Sequence, residues 1–102
     1  MEFLLIHKPL GPLPPDLLKG VLGFTKQLIT APSRVVPGGK IIASYNARGQ
    51  WLQVCIWDVP SFDSLLPLLE AFQGMRFNTE VIPVETVSEA IPKWEQQLAQ
   101  QA

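Results

Sequence analysis

His7 is the one side chain among 102 residues that titrates near neutrality without help from its surroundings. General acid–base chemistry needs a base near the substrate and an acid to return the proton. His7 and Tyr45, the single phenol, are the catalytic candidates for such chemistry. Around them, Trp51, Gln53, Cys55 and Trp57 alternate along one segment, so a strand there puts all four on one face. Aromatic rings with a few polar groups are what small-molecule sites use, and this face is the expected place for ligand contacts. Arg34 and Arg76 are the candidates for holding a substrate carboxylate, to which a guanidinium fork is matched. Arg48 falls in a turn, where water solvates it.

Each candidate has a plain structural alternative. A histidine at a strand end needs no function, and aromatic residues fill cores and interfaces as readily as pockets. No cation or base near Cys55 is evident to activate its thiol, which reads as a small buried hydrophobe. With one Cys and one His, neither an intrachain disulfide nor a zinc cluster can form. No phosphate-binding glycine motif and no Ser-His-Asp arrangement is present. No metal site is therefore expected.

These residues need a frame. Lys plus Arg number 8 against 9 Asp plus Glu, a net charge of -1, which excludes binding of nucleic acid or membrane by a broad basic surface. Hydrophobic residues make up 47% and charged residues 17%, which excludes wholesale disorder. No apolar run approaches the ~20 residues that span a bilayer. The N-terminal MEFLLIHKP lacks a basic region and a full apolar core, so the expectation is a cytoplasmic chain without a signal peptide. The length suits one domain, residues 1–102, with a core over 3–87 and a helical tail over 88–102.

Residues 3–7 read as a strand buried on both faces and stopped by Pro9. Pro12, Pro14 and Pro15 stiffen the connector that follows. Leu17, Leu18, Val21, Leu22, Leu28 and Ile29 then recur at helical spacing to about Thr30. Gly20 and Gly23 inside this helix point to close packing against another element, with room for a ligand as the alternative. Residues 40–45 and 51–57 read as a hairpin turning at 46–49, with Gly49 able to take positive φ. Ser61, Asp63 and Ser64 are candidate caps for a second helix, with Pro67 in its first turn if Ser64 is the cap. A strand over 76–87 contains Pro83, which demotes that part to an edge or a bulge. Ser88 is the expected cap of a last helix with Ile91, Trp94 or Glu95, and Leu98 on one face.

The order strand, helix, strand, strand, helix, strand is the α+β, ferredoxin-like βαββαβ pattern with a four-stranded antiparallel sheet and a C-terminal helix. Helices cover one face only, and the other face is apolar as well. The simplest cover is the same face of a second copy, which predicts a homodimer or larger homo-oligomer.

Three segments resemble the muconolactone isomerase family of the dimeric ferredoxin-like (α/β-barrel) superfamily. They are Phe3-Leu4-Leu5 before a proline-bearing turn, Trp57-Asp58-Val59 running into Ser61-Phe62-Asp63-Ser64-Leu65, and Glu80-Val81-Ile82-Pro83-Val84. The resemblance covers residues 3–87 and rests on structural motifs. It implies a dimeric α/β barrel that isomerises an unsaturated lactone or similar small acid by proton transfer, without a cofactor, in dimers able to form larger rings. The family's first helix is rich in charge, whereas residues 17–24 here carry one charge, so no catalytic residue is carried over from it. Two other readings stay open: a non-catalytic homo-oligomeric binding or accessory domain, and a cofactor-free oxygenase of the same superfamily.

Overall fold

A computed structural model describes residues 1–101. The strands are β1 (Glu2–Pro9), β2 (Lys40–Asn46), β3 (Gln53–Asp58) and β4 (Phe77–Val84). The helices are α1 (Pro15–Thr30), the short α2 (Pro32–Val35), α3 (Leu66–Gly74) and α4 (Val87–Gln101). All strand pairs are antiparallel, in the order β2-β3-β1-β4. This is the ferredoxin-like arrangement, with β1 and β3 central and β2 and β4 at the edges. No helix among the described residues is long and apolar enough to cross a membrane.

Alternation sorts the central strands into two faces. Phe3, Leu5 and His7 on β1, with Cys55 and Trp57 on β3, are buried beneath the helices. Leu4, Ile6, Val54 and Ile56 face the other way and are only partly covered. The helix layer is sealed by α3, where Leu68 and Phe72 are fully enclosed, as is Leu65 in the 3₁₀ turn before it. Phe72 meets Phe24 of α1 edge to face at 5.5 Å and Phe77 of β4 at 5.4 Å. Such aromatic contacts add to the area they bury.

Local chemistry explains the element ends. Gly49 turns the hairpin at φ 82°. Gly39 is buried where a Cβ would stand 2.5 Å from Val36 Cγ1, so no other residue fits without movement. Ser61 leads the 3₁₀ turn Phe62–Leu65, and α3 follows from Leu66 with Pro67 in its first turn, where no N–H is missed.

α3 ends at Gly74, and the left-handed residue beyond it is Arg76 at φ 63°, whose carbonyl accepts the N–H of Leu10 at 2.9 Å. Three local expectations are corrected. Gly20 and Gly23 do not mark close packing: open space surrounds both where a Cβ would stand. The cap of α4 is Thr86 rather than Ser88. The Thr86 hydroxyl accepts the N–H of Glu89 at 3.1 Å and donates to its carboxylate at 3.0 Å, and this Thr-x-x-Glu pairing starts the helix earlier. β4 is shorter than the strand expected over 76–87, because the chain leaves the sheet after Val84.

The sheet also carries a bulge. Ile41 pairs with Trp57, but Ala43, not Ile42, pairs with Ile56. One extra residue in β2 reverses the facing of every side chain beyond it.

Candidate functional site

The register builds one polar row across the sheet. His7 lies opposite Gln53 on β3 and Thr79 on β4, and Gln53 lies opposite Asn46 on β2. All four are on the helix-facing side. The next rows inward are Ser44-Cys55-Leu5-Val81 and Ile41-Trp57-Phe3-Pro83. On the helix-facing side, polarity is thus concentrated at one end of the sheet.

A cleft of about 310 Å³ opens beside this row, between α1 and the end of the hairpin. Leu18, Val21, Leu22 and Thr25 of α1 form one wall, and Trp51 and Gln53 the other. The lining is mostly apolar with two polar groups, the composition a small organic ligand uses.

His7 is 0% exposed and lies behind Gln53. Its Nδ1 is 2.8 Å from Thr79 Oγ1, and its ring stacks on Phe72 at 3.9 Å and 12°. Nε2 has no hydrogen-bond partner within the chain. Burial lowers the His7 pKa from 6.5 to about 4, so the ring is neutral at pH 7. If Nδ1–H donates to Thr79, Nε2 keeps a free lone pair and is a base; in the other tautomer Thr79 donates and Nε2–H is an acid. Thr25 Oγ1, on the wall of the cleft, is also buried and unpartnered. Two polar groups without partners at one end of the molecule are a costly arrangement for a purely structural core.

Four of the expected residues lie with His7 on the helix-facing side, and three do not. Gln53 and Trp51 line the cleft. Cys55 is buried one row deeper, its Sγ 3.7 Å from Ser44 Oγ, and burial pushes the thiol pKa up, away from reactivity. Trp57 is deeper still and fully enclosed, with its indole N–H unpartnered. Both belong to the floor of the core and not to the cleft lining.

Tyr45 is corrected outright. It pairs with Val54 on the opposite face of the sheet and is 71% exposed, because the bulge at Ile42 turns it away from His7. Arg34 is exposed on α2, and Arg76 is exposed at the turn between α3 and β4. Neither lines the cleft, so neither is placed to hold a carboxylate there.

Thr25, Thr79, Leu18, Val21 and Leu22 were not among the expected site residues. Thr25 had a signal in the sequence, since it follows Val21 by four on the buried stripe of α1, where a hydroxyl is out of place. Thr79 had none, because its position against His7 depends on the register of β4. Among the described residues, no group of three or more His, Cys, Asp or Glu side chains is placed to hold a metal.

No family model and no curated protein sequence matches this chain.

Proposed function

We propose that the chain is a cofactor-free isomerase of the muconolactone isomerase type, moving a proton on an unsaturated lactone or similar small acid. It works as a homodimer closed over the open sheet faces. His7 is the proton carrier. The observation that carries this reading is the neutral, buried imidazole with one nitrogen anchored to Thr79 and the other unpartnered, beside an apolar cleft. The ring is neutral at pH 7 and so free to accept a proton, and the Thr79 contact anchors Nδ1 and leaves Nε2 for the transfer. Gln53 and Thr25 supply donors for a developing enolate oxygen. The indole of Trp51 and the leucines of α1 exclude water from the substrate ring.

His7 is enclosed, with Phe72 of α3 stacked on its ring, so a substrate reaches Nε2 only when the helix layer shifts. Two features favour such movement. α1 buries only Val21 and Leu28 fully, and its N-terminal cap residue is Pro14, which makes no side-chain hydrogen bond. The same enclosure favours the second reading, a homo-oligomeric binding domain that retains the cleft without turnover.

Exchange of ring protons into five-membered enol-lactones in deuterated buffer, followed by proton NMR, separates the two. The isomerase reading expects exchange by the wild type and a loss of at least ~100-fold in His7→Gln. The near-UV circular dichroism of the buried Trp57 serves as the folding control. Exchange undiminished in His7→Gln removes His7 from the chemistry. No exchange with any lactone leaves the binding domain.

A further inference from the structure

α4 makes few contacts with the body of its own chain. The radius of gyration is 16.4 Å, against about 13 Å for a compact chain of 102 residues, and the longest dimension is 59 Å. Among the residues of α4 only Ala90 is buried. Yet Val87, Ile91, Trp94 and Leu98 recur at spacings of four, three and four and form one apolar stripe. Trp94 is 55% exposed and Leu98 69% exposed. An arm started by a capping pair and left bare on its apolar side lacks a surface to lie on.

The sheet lacks a cover in turn. Its open face holds an apolar row through Ile56, Leu4 and Ile82, and a second row through Tyr45, Val54 and Ile6 that ends in Glu80 at the β4 edge. An apolar groove of about 260 Å³ crosses the first row, bounded by Leu4, Ile42, Ile56 and Val84.

We infer that α4 is an exchange arm: in a dimer, the stripe of each copy lies across the open sheet face of the other, with Trp94 seated in the groove. This deepens the homodimer reading above and rests on it. A second copy fits for three reasons. The stripe from Val87 to Leu98 is about 16 Å long, and four strands span about 14 Å, so helix and sheet match in length. The four stripe residues offer roughly 100 Å² each, so two arms and two receiving faces bury on the order of 1,600 Å², the size of a stable interface. A net charge of -1 opposes self-association very little.

Sedimentation of the full chain tests this, comparing the wild type with Trp94→Glu and Leu98→Glu. Both positions are exposed in the single chain, so the monomer keeps its fold, which near-UV circular dichroism checks. The expected result is a wild-type dimer at micromolar concentration and a dissociation constant at least ~100-fold weaker in each variant. Dimers that persist in both variants overturn the arm and leave the homodimer reading intact. A monomeric wild type overturns both. In a second measurement, Leu98→Cys and Ile82→Cys chains are mixed under mild oxidation. Cross-links between unlike chains support the arm on the sheet, and cross-links confined to Leu98→Cys pairs overturn it in favour of arms paired with each other.

Discussion

Protonation of His7 should weaken the fold, and the size of the effect follows from its surroundings. The groups facing it are Gln53 from β3, Thr79 from β4 and Phe72 from α3, none of them charged. A proton on Nε2 would place a buried charge where no acceptor waits. The folded pKa of about 4 lies below the unfolded value of 6.5. The unfolded chain therefore takes up the proton first as pH falls. The stabilisation is complete above pH 6.5 and is lost progressively down to pH 4. The whole interval corresponds to about 3 kcal/mol, of which roughly 2.5 kcal/mol is lost between pH 7 and pH 4.5. Urea denaturation at fixed protein concentration at these two pH values measures it. His7→Gln is the comparison, because every other titrating group is common to both chains. The wild type should lose about 2.5 kcal/mol more than the variant on acidification. Equal losses in the two proteins would refute the reasoning, whatever the absolute stability of His7→Gln.

Three further outcomes follow from packing. Gly20→Ala and Gly23→Ala place methyl groups in open space on α1 and should each raise stability by about 1 kcal/mol in thermal unfolding; a loss would mean that another copy covers that side of the helix. Gly39→Ala drives a Cβ into Val36 and should cost on the order of 2 kcal/mol by urea denaturation, and an unchanged midpoint would contradict that contact. Thr25→Val removes a buried, unpartnered hydroxyl and should stabilise the ligand-free protein by about 1 kcal/mol while weakening ligand binding; destabilisation would show that the hydroxyl has a partner.

The fold was legible because its signals are local. Gly49 and its flanking alternation give the hairpin, Pro83 gives an edge strand, and the 17–29 spacing gives α1. The strand order places β4 at an edge, as Pro83 requires. The candidate site was legible only in part. The alternation of Trp51, Gln53, Cys55 and Trp57 put them on the correct face, but cleft and core could not be separated without knowing where α1 lies. Tyr45 failed for a sharper reason. Strict alternation from Ile41 puts it opposite Gln53, and nothing in the two adjacent isoleucines announces that one is extra. Long-range register likewise hid Thr79, which is 72 residues from His7.

The Ile42 bulge has a consequence beyond the site. β2 and β4 are the two edges where a foreign strand could add to this sheet. On β2 the bulge breaks the regular ladder of free N–H and C=O groups that such a strand would follow, and Lys40 adds a charge. On β4, Pro83 has no N–H to offer. Growth by strand addition, the route to open-ended fibres, is thereby blocked on both sides. Deleting Ile42 and replacing Pro83 would together remove that safeguard, leaving a sheet able to propagate.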